Sequence, residues 1–429
     1  MSNNFRGDIG SIKIKPGLSW LKKLLAFSGP GYLVAVGYMD PGNWATDLAG
    51  GSMYGYQLLS VILISNLMAI LLQHLAAKLG IVTKKDLAQA CRDYYPKQFR
   101  GFLWILAEVA IIACDLAEVI GSAIALQLLF KIPIILGVLI TSLDTLLLLF
   151  LQNKGLRYLE ALIISLIALI LGSFAIEIFL ARPDAWQIVG GILPSLEIIH
   201  DPSMLYIAIG ILGATVMPHN LYLHSSLVQS RKIKGSVAAK KEAVKFASLD
   251  SGIALVLASF VNAAILILSA AVFHKNGLHD VAEIQDAHKL LSPLLGTELA
   301  GILFALALLA SGHNSTITGT MAGQIVMEGF VDIKLKSWQR RLLTRVLAMA
   351  PAILVILIYG DQYLGKLLVM SQVVLSLQLP FAVIPLVQFT SSRKIMGGFV
   401  NPILIKYLAI SVAFLITGLN MWLVWSFIN

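Results

Sequence analysis

Two short segments of the chain place a proline and an asparagine next to a potential metal ligand. Asp40–Asn43 reads Asp-Pro-Gly-Asn and Met217–Asn220 reads Met-Pro-His-Asn, so both have the form X-Pro-X-Asn. Asp40 offers a carboxylate and Asn43 an amide oxygen, and backbone interrupted by proline exposes carbonyl oxygens as well. The Met217 thioether is a soft ligand, whereas magnesium and calcium are bound by oxygen. These donors predict a site for a divalent transition metal; the alternative for Met217 is that it fills a gap in the packing.

A second group of residues could carry protons. Glu108, Asp115 and Glu118 lie in one apolar stretch. At about 100° per residue, Glu108 and Asp115 are about 20° apart and Glu118 is about 80° from Glu108, so the three acids share one stripe of a helix. Acids inside a membrane usually mark ion or proton pathways, and His219 is a natural titrating group near neutral pH.

Basic residues of a later segment could pair with these acids. Arg340, Arg341 and Arg345 stand together just before and at the start of an apolar stretch. A static salt-bridge network that holds helices together is therefore the alternative to a proton route, and a structural histidine is the alternative for His219.

The composition places these residues in a membrane protein. Of 429 residues, 58% are apolar and only 13% are charged, against roughly 25% charged in soluble domains. So little charge cannot cover the surface of soluble domains, which excludes a cytosolic enzyme, a disordered chain and a nucleic-acid binder despite the net charge of +9. The two cysteines, Cys91 and Cys114, cannot form a disulfide framework and are interpreted as inert.

Eleven segments, called spans 1 to 11 below, reach the length of about 20 mostly apolar residues that a transmembrane helix needs. They are Leu24–Ala49, Gln57–Leu79, Gly101–Phe130, Ile132–Leu151, Leu159–Leu180, Met204–Ser230, Ser248–Phe273, Leu295–Met321, Leu342–Tyr359, Leu364–Phe389 and Pro402–Ile428. The basic start leads into span 1 without a small-residue cleavage site, so we predict no cleavable signal peptide.

The distribution of Lys and Arg predicts how the spans are oriented, because cytoplasmic loops carry an excess of both. With the N-terminus in the cytoplasm, only five of the 32 fall outside, namely Lys131, Arg182, Lys275, Lys289 and Lys366. We therefore expect a multi-pass protein of the plasma membrane. Its N-terminus is cytoplasmic, and its C-terminus is outside because eleven is an odd number.

Both proline motifs fall in the middle of a span, which predicts that spans 1 and 6 are unwound there. Irregular backbone at this depth is tolerated only where it lines a cavity or is buried in protein. Span 6 follows span 1 by five, so the two copies run in opposite directions, as in an inverted-repeat transporter. The predicted divisions are a cytoplasmic segment (1–23), two five-helix repeats (24–180 and 203–390) and an additional span (402–428). Functionless proline kinks are the alternative.

The two motifs resemble the signatures of the Nramp family, the natural resistance-associated macrophage proteins, which includes bacterial MntH-type divalent metal transporters. Spans 3, 8 and 10 fit the family too, through Asp115–Glu118, Ser315–Thr320, Ser371–Val373 and Gln378–Phe381. The resemblance covers spans 1 to 10. It implies an all-α LeuT-like fold, a five-plus-five inverted repeat with an eleventh helix. It also implies a symporter that imports divalent transition metals, typically manganese and iron, together with protons.

The resemblance further implies metal ligands outside the two motifs. The carbonyl of Ala214 would join the ligand set, and Gln372 resembles a glutamine that closes over the metal, with Gln378 as a rival. Thr215 and Asn262 are weaker candidates. The alternative for either glutamine is an interhelical hydrogen bond. No resident cofactor is implied, since Mn2+, Fe2+ and H+ are the transported ligands.

The proton route implied by the resemblance runs from the metal site toward the cytoplasm. It would pass Asp115 and Glu118, with Arg340 and Arg341 along it, and Arg231 would belong to the same network.

Other classes of protein are weighed against this interpretation. A sodium- or proton-coupled amino-acid transporter of the same fold is the main alternative, although the Asp40 carboxylate would repel a substrate carboxylate. The sequence has no His-Glu-X-X-His motif and no Gly-X-Ser-X-Gly elbow, so we expect no enzyme and no catalytic residues. It has no Gly-rich phosphate loop, so we expect no nucleotide partner. A channel is a further alternative.

Overall fold

The computed structural model describes residues 12–13, 19–141, 156–331 and 337–428, which are almost entirely helical. The helices are α1 (Trp20–Phe27), α2 (Pro30–Gly37), α3 (Pro41–Tyr54), α4 (Leu59–Thr83), α5 (Leu87–Tyr94), α6 (Lys97–Phe130), α7 (Leu156–Ala181), α8 (Ala185–Gly191), α9 (Glu197–His200), α10 (Pro202–Val216), α11 (Pro218–Leu227), α12 (Val237–Val272), α13 (Ile284–Leu295), α14 (Glu298–Val331), α15 (Ser337–Tyr359), α16 (Leu364–Thr390), α17 (Arg393–Met396) and α18 (Ile403–Ile428). Residues 134–141 are helical too. Two short strands, β1 (Ile12–Lys13) and β2 (Arg231–Lys232), pair in parallel.

Within the described ranges, nine helical segments are long and apolar enough to cross a membrane. They correspond to the predicted spans 2, 3 and 5 to 11, with bounds that differ by up to a few residues where a span is longer. Span 1 is divided among the end of α1, α2 and α3, and the end of span 4 lies outside the described residues. Several helices run past the apolar stretch that predicted them. For example, α12 begins at Val237 because the Ser236 side chain caps it by accepting a hydrogen bond from the Ala239 amide.

Helix α6 packs against both α14 and α16, and α12 packs along α3 and α4. Glycine also lets α6 approach α3, because a Cβ on Gly121 of α6 would collide with Pro41, the first residue of α3. Three residues further along α3, Trp44 packs edge-on against Phe174 and Phe304, with ring centroids 4.9 and 5.1 Å apart. The first turn of α3 is therefore held in a fixed position against its neighbours.

The segment between α12 and α14 ties the end of α3 to the start of α16. The Ser52 hydroxyl, near the end of α3, donates to the carbonyl of Val281 over 3.4 Å. The Glu283 carboxylate accepts a hydrogen bond of 2.6 Å from the amide of Gly365 at the start of α16. Burial raises the pKa of Glu283 to about 7, more than the hydrogen bonds from the Gly365 and Lys366 amides lower it.

Replacing Glu283 should therefore change how stability depends on pH. The pKa of this group is raised to about 7 in the folded protein, so its contribution to stability is full below the ordinary pKa of 4.5 and is lost as the pH rises through 7. Glu283→Gln keeps an acceptor for the Gly365 amide without a charge to desolvate. We expect the melting temperature of this variant in detergent to fall less than that of the wild type between pH 5 and pH 8.

The matched control is Asp280→Asn, which removes an exposed carboxylate of the same segment and should keep the wild-type slope. An identical slope in Glu283→Gln and the wild type would contradict the assignment.

Candidate metal site

The first interruption lies between α2 and α3, where Tyr38, Met39 and Asp40 are not helical. Asp40 caps α3, since its Oδ1 accepts a hydrogen bond of 2.8 Å from the amide of Asn43. The carbonyl of Tyr38 accepts 3.0 Å hydrogen bonds from the side-chain amides of both Asn43 and Asn262, and the carbonyl of Met39 accepts one from Ser311. The backbone carbonyls of the interruption are therefore satisfied by side chains, and Asp40 Oδ2 lies 4.0 Å from the Cys114 sulfur. Asn43 Oδ1 has no partner among the described residues.

The second interruption lies between α10 and α11 and is centred on Met217. Its φ of 32° and ψ of 104° are unusual for a residue with a side chain and cost about 1–3 kcal/mol. Pro218 has no amide hydrogen, so it cannot supply the bond that the Ala214 carbonyl would accept in a continuous helix. The Met217 sulfur accepts only a long contact of 3.5 Å from the Asn220 amide. The predicted unwinding of spans 1 and 6 is thus confirmed.

Direct contacts bring the two interruptions together. The Tyr38 hydroxyl donates to the carbonyl of Val216 over 3.4 Å, and the Asn220 side-chain amide donates to the carbonyl of Val34 over 3.4 Å. Gly37 makes the second contact possible, because a Cβ there would collide with the Asn220 amide. Solvent is excluded from the ligand candidates: Asp40, Asn43, Ala214 and Met217 are each at most 1% exposed.

Gln372 of α16 lies against both interruptions. A Cβ on Gly42, in the first turn of α3, would collide with the Gln372 side-chain amide, and a Cβ on Gly213 of α10 would collide with the Gln372 carbonyl. The amide nitrogen donates to the Ser371 hydroxyl over 3.0 Å, while Oε1 has no partner in the described part of the chain. Gln378 is six residues further, about 9 Å along the helix axis. Of the two glutamines, Gln372 is therefore the one that contacts the first turn of α3, directly after the first interruption.

The weaker candidates have different surroundings. Asn262 donates to the Tyr38 carbonyl, so its amide group supports the first interruption. The hydroxyl of Thr215 is buried and has no partner among the residues that the structure describes. His219 lies in the first turn of α11, with its Nε2 3.7 Å from the sulfur of Cys114.

Cys114, which the sequence interpretation treated as inert, lies at the junction of the metal and proton candidates. Its sulfur is 4.0 Å from Asp40 Oδ2, 3.5 Å from Glu118 Oε1 and 3.7 Å from His219 Nε2. The only signal in the sequence was its position directly before Asp115 in the acidic stripe. Cys91 is also buried but lies in α5, apart from this cluster.

Two of the three stripe acids are paired with arginine. Glu108 accepts hydrogen bonds from Arg340 at 2.5 Å and from the Trp104 indole at 2.8 Å. Asp115 is paired with Arg345 at 2.7 Å, and this guanidinium also donates to Thr316 over 3.4 Å.

Glu118 differs from the other two acids. It forms no salt bridge among the described residues, and its Oε2 is buried without a hydrogen-bond partner there. Its carboxylate lies against Gly319 of α14, where a Cβ would approach Oε1 to 2.7 Å.

The other two arginines of the predicted network are Arg341 and Arg231. The side chain of Arg341 lies outside the described residues. Arg231 pairs with Glu160 of α7 at 3.0 Å and donates to the carbonyl of Ser28, so it holds the start of span 1 instead. Its place in the sequence, at the end of span 6, could not reveal this partner.

A family model, Nramp, described as natural resistance-associated macrophage protein-like, matches residues 31–426 of the chain. The divalent metal cation transporter MntH of Nostoc sp. is 61% identical over 413 residues, which cover 96% of this chain and 93% of that protein. The crystal structure of the Eremococcus coleocola manganese transporter, in complex with an aromatic bis-isothiourea substituted compound, has a TM-score of 0.89 and 45% identity. The match covers 96% of this chain and 89% of that chain.

Mhp1, a nucleobase-cation-symport-1 family transporter, shares the fold, with a TM-score of 0.61 and 15% identity over 92% of this chain and 89% of that chain. The predicted all-α, LeuT-like fold is therefore confirmed. The prediction that the chain is not an enzyme is confirmed as well, since the family and these relatives are transporters. With a family match over nearly its whole length and relatives at about 60% identity, the chain belongs to the Nramp family.

Proposed function

We propose that this protein is a symporter that imports divalent transition metal ions, Mn2+ and Fe2+, together with protons across the bacterial inner membrane by alternating access. The observation that carries the proposal is the meeting of two interrupted helices, with the Asp40 carboxylate on one and the Met217 sulfur on the other. The Nostoc relative is named a divalent metal cation transporter and the Eremococcus coleocola protein a manganese transporter, which supports the same substrate class.

The proposed ligands are Asp40 Oδ2, Asn43 Oδ1, the Ala214 carbonyl, Met217 Sδ and Gln372 Oε1. Asn43 Oδ1 and Gln372 Oε1 have no hydrogen-bond partner among the described residues, whereas Asp40 Oδ2 and Met217 Sδ have long contacts of 4.0 Å to the Cys114 sulfur and 3.5 Å to the Asn220 amide. One carboxylate, neutral oxygens and one sulfur suit a borderline metal, because calcium and magnesium gain little from a thioether and would prefer a further oxygen. Met217 is therefore the proposed selectivity element, and Gln372 closes the site from the side of α16.

The proposed proton route begins beside the metal ligand Asp40. From there, Cys114 and Glu118 lead along α6 to the Asp115–Arg345 pair and then to the Glu108–Arg340 pair. Glu118, without a salt bridge in the described chain, is the proposed stopping point for a proton nearest to the metal. The membrane potential supplies about 2.3 kcal/mol per inward charge for each 100 mV, and a dication gains twice that.

An amino-acid substrate fits this site less well. The proposed ligands are the Asp40 carboxylate and four neutral donors, and no described basic side chain contacts Asp40 to receive a substrate carboxylate.

The proposal also includes the topology of the protein. The N-terminus is cytoplasmic, the C-terminus is external, and the two repeats span residues 24–180 and 203–390.

The ligand assignment is tested by calorimetry on the purified protein. Asp40→Ala should abolish Mn2+ binding, because it removes the only carboxylate among the proposed ligands. Met217→Ala should retain weakened Mn2+ binding, and calcium should compete with it better than in the wild type, since the soft donor is gone. Met396→Ala, which removes a buried methionine of α17, is the control and should leave the competition unchanged. Full Mn2+ affinity in Asp40→Ala, or wild-type calcium competition in Met217→Ala, would refute the assignment.

The proton route is tested by measuring metal and proton fluxes together in liposomes. Asp115→Asn removes the charge that Arg345 pairs with while keeping a side chain of the same shape. We expect metal uptake to continue and the accompanying acidification to be lost. Asp93→Asn, which removes an acid paired with Lys85 outside the stripe, should acidify like the wild type. Normal acidification beside normal uptake in Asp115→Asn would rule out the relay.

The position of Cys114 is tested with methyl methanethiosulfonate. A methylthio group on its sulfur would occupy space within 4.0 Å of the Asp40 carboxylate and should block most Mn2+ uptake. Added Mn2+ should slow the inactivation. Cys91→Ser should be inactivated like the wild type, while Cys114→Ser should be resistant. Inactivation of Cys114→Ser at the wild-type rate would show that the sensitive group is elsewhere.

A further inference from the structure

A tight turn after α12 folds two histidines onto each other on the outer side of the protein. It comprises the 3₁₀ turn His274–Asn276 followed by Gly277, whose φ of 76° lies in the left-handed region that favours glycine. The amide of Gly277 donates to the carbonyl of His274, and the amide of Leu278 donates to the carbonyl of Phe273, each over 3.0 Å. The chain direction thereby reverses, and His279 returns to the ring of His274.

Three electron-pair donors meet at this turn. The Nδ1 atoms of His274 and His279 are 3.2 Å apart, with the two rings inclined at 70°. The same Nδ1 of His274 is 2.8 Å from the carbonyl oxygen of Ser52, in the last turn of α3. One hydrogen on His274 Nδ1 can satisfy only one of these neighbours well. A metal ion in place of this hydrogen could be bound by all three atoms. Two nitrogens that each lie about 2.1 Å from one metal are roughly 3 Å apart, which matches the distance between the two Nδ1 atoms.

We propose that the Ser52 carbonyl and the Nδ1 atoms of His274 and His279 form a second, external binding site for a borderline transition metal ion such as Ni2+ or Zn2+. It is separate from the proposed transport site and goes beyond the proposed function. Imidazole nitrogen favours Ni2+, Cu2+ and Zn2+ over Mn2+, and neither sulfur nor carboxylate contributes. His279 is exposed and His274 half-buried, so an ion can reach them from solution while water fills the remaining positions.

A bound ion would have a mechanical effect on the transporter. It would link the outer end of α3 to the segment after α12, and α3 carries Asp40 and Asn43 at its opposite end. Ni2+ bound at this site should therefore lower the maximal rate of Mn2+ uptake, an effect distinct from any competition at the transport site.

The external site is tested by Ni2+ binding to protein purified without a polyhistidine tag. The background is Asp40→Ala with Met217→Ala, which removes the proposed transport site. This background should still bind one Ni2+. Adding His274→Gln and His279→Gln should weaken the binding by about tenfold or more, since even supporting residues of metal sites contribute that much. His288→Gln, a histidine of the same outer segment, should leave the binding unchanged.

The outcomes separate the two proposals. Absence of Ni2+ binding in the background, or equal binding after the two histidine substitutions, would overturn the external site. In otherwise wild-type protein, the same two substitutions should abolish the decrease in maximal uptake rate caused by Ni2+, and persistence of that decrease would also count against the site. Mn2+ binding that survives Asp40→Ala would count against the transport site alone.

Discussion

The need to satisfy backbone polar groups in an apolar surrounding governs the centre of this protein. Leaving one such group buried without a partner costs about 1–3 kcal/mol, and lipid offers no substitute for water. The interruption between α2 and α3 meets this need with side chains from three helices, since Asn43, Asn262 and Ser311 all donate to its carbonyls. Because these donors serve the backbone, the carboxylate of Asp40 and the amide oxygen of Asn43 stay available for a cation.

The interruption between α10 and α11 meets the same constraint less completely. Met217 holds a φ of 32°, and Pro218 leaves the Ala214 carbonyl without its helical donor. A cation bound here would supply the missing positive partner for that oxygen and for the sulfur. A bound cation would therefore offset part of the cost of this strained backbone, because without a cation the Ala214 oxygen and the Met217 sulfur are least satisfied.

The two interruptions could be located from the sequence because proline, glycine and polar residues stand out within apolar spans. The acid stripe was also predictable, since helical periodicity alone aligns Glu108, Asp115 and Glu118. What the sequence could not provide were contacts between residues far apart in the chain. The choice between Gln372 and Gln378 depends on the absence of a side chain at Gly42, more than 300 positions away.

The same limitation explains the partners that were missed. Arg231 was assigned to the acid stripe, yet its partner Glu160 lies on α7, because helix packing and not chain order decides which charges meet. Cys114 was set aside because no other cysteine or histidine stands at metal-binding spacing. Its importance comes from distances to Asp40 and His219 that only the packing of α6 against the two interruptions creates.

In the proposed symport, the geometry around Cys114 offers a way to couple the metal to the proton. Since its sulfur lies 4.0 Å from Asp40 Oδ2 and 3.5 Å from Glu118 Oε1, these two oxygens are at most 7.5 Å apart. At an effective dielectric constant of about 20, a dication at that distance would disfavour a proton on Glu118 by about 4 kcal/mol. Arrival of the metal would therefore release the proton. Its nearest further acceptors along α6 are the arginine-paired acids, so the proton would leave away from the metal.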